Sequence, residues 1–290
     1  MFLAEQIRAI EERFGDTAVR AGALGEYEES SHLSTGWADI DAALGGGLSH
    51  EAGLPVAALH EWFGVAPAVH FAVCLEDETQ RHAWIPPLVP VVHLVRQAMN
   101  CASFLRRAVW IGPRCFPYGA VLIGEEGDGR LLERSLFVAA DGPSERLWAA
   151  DLALRSPAVG VVVADGSGFD LAATRRIQLA AKAHRTTALL VRPPWETRKL
   201  SAAQTRWLVR WEASRGQVDE ESSSFNPRWS VELLRCKGRQ VGLVAQSDSC
   251  PHVWVLEWDR DEGAVRLSTA VADQVGDAGA SKNDHWLLHA

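Results

Sequence analysis

The chain is predicted to form an α/β fold, a mostly parallel sheet flanked by helices, with antiparallel strands appended towards the carboxyl terminus. Three observations predict it. The run VGVVVA (Val159 to Ala164) is continuously apolar, as a strand covered on both faces must be. Helical patterns flank it, PSERLWAADLAL before and LAATRRIQLAAKA after, and a further apolar run, TALLV, comes next. Beyond Arg215 the texture changes to RWSVELLRC and VWVLEWD, whose alternation suits antiparallel strands with one solvated face.

The elements follow in order. Leu3, Ile7, Ile10 and Phe14 step by four, three and four, which is one face of a helix that Gly15 stops. That helix either caps its own domain or forms an arm for another subunit or protein, so self-association is one expectation. Ser34 and Thr35 start a small helix with Ile40, Ala43 and Leu44 on one face, and Gly45, Gly46 and Gly47 end it. Val56 to Phe63 is expected to be a short buried strand. The stretch from His70 to Trp84 mixes apolar residues with LEDE and shows no clear period. Pro86 and Pro87 open a helix running to about Asn100, because proline suits a first helical turn. Ala108 to Ile111 is the second strand, GPRCFPYG a loop, and Leu136 to Ala139 a third strand after a helix. Pro143 to Leu154 and Leu171 to Ala183 are helices around VGVVVA, and Thr187 to Val191 is another buried strand.

A polar, turn-rich loop, GQVDEESSSFNP, precedes the antiparallel strands, and RDEG makes a turn before AVRLSTAV. The stretch ADQVGDAGASKND reads as a linker, yet the chain ends in HWLLHA. Trp286, Leu287 and Leu288 are therefore a short apolar segment that either docks on a partner or folds back on its own sheet. Three parts are expected: an amphipathic helix and linker over 1–30, a core over 31–273, and a tail over 274–290.

Composition narrows the functions. A net charge of -8 disfavours a protein that coats nucleic acid by bulk electrostatics, while leaving room for a local basic face. Twelve tryptophans make partner surfaces plausible, because tryptophan is favoured where interfaces carry their energy. The five cysteines form no CxxC pair, and the ten histidines make no HExxH, so no metal site is expected. No apolar run reaches the roughly 18 residues of a membrane helix, and the start MFLAEQIRAIEERFG lacks a basic region with a cleavage site. A cytoplasmic protein that does not engage membrane is expected.

The order LSTGWADIDAALGGGL, LHEWFG, RRAVWIGPRCFPYG, LRSPAVGVVVADGS, LAATRRIQLAAKAHRTTALLVRP, RWLVRWEAS and RWSVELLRCKGR resembles the bacterial recombinase core. The pair WIGPRCFPYG and RRIQLAAKA is more similar to the ImuA family than to a working recombinase. The resemblance implies a RecA-like fold and a non-polymerase accessory role in SOS-induced translesion synthesis. It also implies two partners, an ImuB-like Y-family polymerase homologue and the alpha subunit of an error-prone C-family polymerase.

In a recombinase the strand LHEWF would lead into a phosphate loop of pattern GxxxxGK[ST]. Glycines let backbone N–H groups reach phosphate, lysine meets the outer phosphates, and a hydroxyl holds magnesium. Laid from Gly64, the pattern falls on GVAPAVHF. Val69 stands at the second glycine, His70 at the lysine and Phe71 at the hydroxyl residue. Valine disfavours the positive φ that glycine supplies, neutral histidine carries no fixed charge, and phenylalanine cannot ligate magnesium. Asp165 stands at the Walker-B position, where it is expected to serve as a structural acid. Gly112, Pro113 and Arg114 stand where a recombinase places a glutamate that activates water. Neither nucleotide hydrolysis nor a bound cofactor is expected.

Two further regions are candidate surfaces. In a recombinase the loop after the LLV-type strand holds DNA, and here it reads RPPWETRKLSA. Arg192, Trp195, Arg198, Lys199, Arg206 and Arg210 are candidate single-stranded DNA contacts, since phosphate charge and base stacking use that composition. The competing reading is that Trp207 and Trp211 pack while Arg206 and Arg210 are solvated. Phe116 and Tyr118, with Pro113 and Pro117, lie beyond the carboxyl end of a strand, where α/β sheets bind ligands. These residues either meet a ligand or fill the space a phosphate loop would occupy. The alternatives to a silent scaffold are a divergent ATPase in which His70 replaces the lysine, and a regulator of the recombinase filament or a cell-division protein.

Overall fold

The structure is a computed structural model that describes residues 32–45, 52–65, 84–101, 106–123, 130–212, 226–237, 253–259 and 264–268. The expected amino-terminal helix with Leu3, Ile7, Ile10 and Phe14, the tail with Trp286, Leu287 and Leu288, and the positions Val69, His70 and Phe71 lie outside the described residues.

The strands are β1 (His32–Leu33), β2 (Leu54–Pro55), β3 (Leu59–Phe63), β4 (Arg107–Ile111), β5 (Ser135–Val138), β6 (Val159–Asp165), β7 (Thr187–Arg192), β8 (Thr205–Glu212), β9 (Arg228–Cys236), β10 (Val253–Asp259) and β11 (Ala264–Leu267). The helices are α1 (Ala38–Leu44), α2 (Leu88–Cys101), α3 (Gly119–Ile123), α4 (Arg130–Glu133), α5 (Pro143–Leu154) and α6 (Leu171–His184). One nine-stranded sheet has the order β11-β10-β9-β8-β3-β7-β6-β4-β5. From β5 across to β8 all neighbours run parallel, and β8, β9, β10 and β11 pair antiparallel. The expected α/β fold, a mostly parallel sheet with helices and appended antiparallel strands, is the observed one.

The inner strands β6 and β7 are buried on both faces, which is why they read as nearly unbroken apolar runs. Along β6, Val161 and Val163 point to the face that α2 covers, while Val162 and Ala164 point to the face of α5 and α6. Trp62, Trp110 and Trp207 are fully buried on the α2 face, and Trp62 stacks on Trp207 with ring centroids 5.2 Å apart. Helix α5 begins at Pro143 with the fixed φ of proline in its first turn. Helix α6 is capped by Asp170, whose side chain accepts from Ala173 N at 2.8 Å.

Two expectations need correcting. Helix α1 starts at Ala38; Ser34 and Thr35 instead donate their hydroxyls to the buried Asp41 carboxylate at 2.7 Å each, closing the turn ahead of the helix. The strand expected from Val56 begins at Leu59, because the chain bends over 56–58 with Ala57 at φ 56°. The segment RWLVRWE lies in β8, parallel to β3. Gly53, at φ 117°, sits so close to the Leu33 carbonyl in the β1–β2 pair that no side chain fits there.

Candidate functional site at the carboxyl edge of the sheet

Strand β3 sits centrally, between β7 and β8, so the chain leaves it at Gly64 on the carboxyl edge, where parallel α/β sheets bind ligands. Gly64 is tied to the neighbouring strand, its N–H donating to the Arg192 carbonyl at 2.9 Å. The next residue, Val65, pairs with Ile85 through two backbone hydrogen bonds of 3.0 and 2.9 Å. This pairing lays the segment of Trp84 and Ile85 over Gly64. A Cβ there would overlap the Ile85 carbonyl oxygen and lie 2.7 Å from the Trp84 ring. Trp84 is itself buried, whereas Ile85 is exposed.

Asp165 ends β6, and its side chain is 2% exposed. The Ser167 N–H donates to it at 2.9 Å, and the Ser167 hydroxyl donates to it as well. Arg114 donates to it at 3.4 Å, and Arg146 stands 3.7 Å away. Arg146 is anchored by donating to the carbonyls of Asp165, Asp141 and Ser167. Beside it, burial pushes the Cys115 thiol well up, with the Asp165 charge adding to the effect. The aromatics of GPRCFPYG part company. Phe116 packs edge-on against Phe137, while Tyr118 is exposed.

The basic loop after β7 is where the structure departs most from expectation. Arg192 is 0% exposed and Arg206 7% exposed, so neither guanidinium meets solvent phosphate. Arg192 donates to Glu61 at 2.6 Å and to Glu196 at 3.0 and 2.7 Å, and to the Phe169 carbonyl at 2.7 Å. Arg206 donates to the other Glu61 oxygen at 2.7 Å and to the Thr197 carbonyl at 2.8 Å, with its guanidinium 4.8 Å from the Phe63 ring centroid. The Ser201 hydroxyl completes Glu61 at 2.7 Å. Burial by itself would raise the Glu196 carboxyl, but hydrogen bonds from Lys199, Arg192 and the Gly168 N–H hold it below the usual range. The reading of Arg192 and Arg206 as DNA contacts, and of Arg206 as solvated, is therefore corrected. They are the positive half of a buried charge network.

The other candidates stay at the surface. Trp195 is 49% exposed at a 3-10 turn, Pro194–Glu196, and Arg198 and Leu200 are exposed beside it. Lys199 is half-exposed and reaches Glu196 at 2.7 Å. Arg210, on β8, pairs with Glu232 of β9 at 2.7 Å. Trp207 packs in the core, and Trp211 lies half out of the sheet against Trp229. Glu61, the centre of the network, is an acid inside LHEWF. An acid in the middle of a strand apolar on both sides is the signal that could have found it. Among the described residues no cluster of three metal-ligating side chains occurs, and no helix is long and apolar enough to cross a membrane.

Fold and edge together define an α/β protein whose central strand ends under its own side chains and whose neighbouring loop is locked from within. Over 230 residues the chain is 30% identical to Protein ImuA of Caulobacter vibrioides strain NA1000 / CB15N, an alignment covering 76% of this chain and 85% of the relative. Protein ImuA of strain ATCC 19089 / CIP 103742 / CB 15 aligns with the same values. The chain belongs to the ImuA family. No protein-family model matches it.

Proposed function

We propose that the protein is a non-catalytic, RecA-like accessory or scaffold protein of SOS-induced translesion DNA synthesis. On this reading it binds an ImuB-like Y-family polymerase homologue and the alpha subunit of an error-prone C-family polymerase. Membership in the ImuA family supports the pathway. The observation that carries the non-catalytic part is the closure of Gly64 by Trp84 and Ile85. A phosphate loop works by leaving backbone N–H groups open to the ligand. Here the backbone of Val65, the residue after Gly64, is spent on pairing with Ile85. Asp165 supports the same reading, because its buried carboxylate is already engaged by Ser167, the buried Arg146 and the half-exposed Arg114. The sequence at Val69, His70 and Phe71 offers no lysine and no hydroxyl for phosphate and magnesium.

The test has two arms. Purified protein is expected to show no magnesium-dependent ATP turnover and no thermal shift with millimolar ATP and magnesium. A site whose Kd lay tenfold below the nucleotide concentration would add about 1.4 kcal/mol of stability, readily seen. Turnover abolished by Asp165→Ala would refute the non-catalytic reading. In the second arm the protein is expected to co-elute with the polymerase homologue. Recovery of a recombinase filament or a cell-division protein instead would make it a regulator.

A further inference from the structure

The buried charge network raises a question of purpose. Five charged side chains, Glu61, Arg192, Glu196, Lys199 and Arg206, meet where the sheet could have been held by apolar residues at no loss of stability. What apolar residues could not do is fasten loop backbone. Glu196 takes the Gly168 N–H, Arg192 holds the Phe169 carbonyl, and Arg206 holds the Thr197 carbonyl. The loop between β6 and α6 is thereby cross-linked to the loop between β7 and β8.

These two fastened loops carry large apolar side chains outward. Leu200 is 74% exposed, Trp195 is 49% exposed, and Leu171, at the start of α6, is 45% exposed. The exposed charge of the second loop is positive. In the segment PPWETRKLSAAQ the one acid, Glu196, is turned inward, while Arg198 and Lys199 reach solvent. On the neighbouring loop the exposed Asp170 caps α6, so the cationic side of the surface is the segment of Arg198 and Lys199. The chain as a whole carries -8, so this apolar and cationic surface stands against the general charge.

We propose that the two cross-linked loops form a preorganised docking platform for a partner protein, one that offers an apolar pocket for Leu200 and Trp195 rimmed by carboxylates facing Arg198 and Lys199. This rests on the scaffold reading above and deepens it. A fixed backbone lowers the ordering cost of association, and an exposed tryptophan and an exposed leucine on one held loop are the composition of an interface anchor. Protein is favoured over single-stranded DNA by the same network. The cations that would follow a phosphate chain, Arg192 and Arg206, face inward, and a leucine gives a base no ring to stack on.

The experiment uses the full-length chain and the purified Y-family polymerase homologue, with binding measured at low and raised salt. Leu200→Ser and Trp195→Ser are expected to weaken association by about tenfold or more each, the loss of one anchoring contact. Arg198→Glu is expected to slow association and reduce its salt dependence. All three sites are exposed, and an unchanged urea midpoint shows that the fold is kept. If wild type binds and the three variants bind equally well, the platform is overturned while the scaffold reading stands. If wild type does not bind, both fall. If the serine variants keep protein binding but lose binding to an oligothymidylate, the loop is a nucleic-acid surface and the proposal is overturned.

Discussion

Removing Glu61 is predicted to cost more stability than removing either arginine it binds. The network holds two carboxylates, Glu61 and Glu196, against three cations, Arg192, Arg206 and Lys199. Arg192→Met takes away one cation and leaves two charges of each sign. Glu61 then keeps Arg206 and Ser201, and Glu196 keeps Lys199 and the Gly168 N–H. Glu61→Leu leaves three cations to one carboxylate, with the Arg192 and Arg206 side chains 0% and 9% exposed. Breaking a buried pair costs roughly 3–5 kcal/mol because a buried charge loses its partner. Arg192→Met belongs near the lower end, about 3 kcal/mol, and Glu61→Leu near the upper, about 5 kcal/mol. Arg210→Ala breaks an exposed pair with Glu232 and should cost about 0–1 kcal/mol. Urea unfolding followed by tryptophan fluorescence measures all three. In a thermal scan roughly 2–4 °C per kcal/mol puts the Glu61→Leu midpoint about 10–20 °C below wild type. A Glu61→Leu loss of less than about 1 kcal/mol would refute the reasoning, because it would mean that these charges are effectively hydrated.

Three further outcomes are expected. Glu196 has a carboxyl held below its ordinary value of 4.5, so its contribution is complete above that pH and is lost as pH falls through the lower folded value. The stability gap between wild type and Glu196→Gln, measured by urea titration, should therefore close only below about pH 4.5. His60, fully buried, has its pKa lowered by burial from 6.5 to about 4, with the Pro55 carbonyl opposing in part. Unfolding then binds a proton between those values, so stability should fall by up to about 3 kcal/mol as pH drops from 6.5 towards 4, and a variant lacking the imidazole should lose that slope. Gly64→Ala places a methyl group against the Ile85 carbonyl and the Trp84 ring; a loss of about 1–3 kcal/mol is expected, and a neutral result would show that this segment does not close the edge.

Most of the sheet was legible because its signals are local. Proline at the first turn of α5 and the unbroken apolar run of β6 needed only their own neighbours to be read. The alternation in β9 and β10 likewise marked antiparallel strands without reference to the rest of the chain. The bend at Ala57 left no comparable mark, since nothing in VAAL announces a left-handed alanine. For that reason the start of β3 was misplaced by three residues.

The sequence by itself determined the α/β architecture and the helix starts at proline. It also determined the absence of lysine and hydroxyl after Gly64, because each is a property of residues close together in the chain. Only the tertiary structure decided which basic residues face the solvent. RPPWETRKLSA and RWLVRWEAS read alike as basic and aromatic, whether their arginines meet water or an inner acid. The acid that draws Arg192 and Arg206 inward is Glu61, separated from them by 131 and 145 residues. Only parallel pairing of β3 with β7 and β8 brings those charges within 2.7 Å. Glu196, four residues from Arg192, is a local partner, but Glu61, which binds both arginines, is one that no local pattern contains. The same pairing left Trp195, Arg198 and Leu200 outside, on a loop whose backbone the network holds.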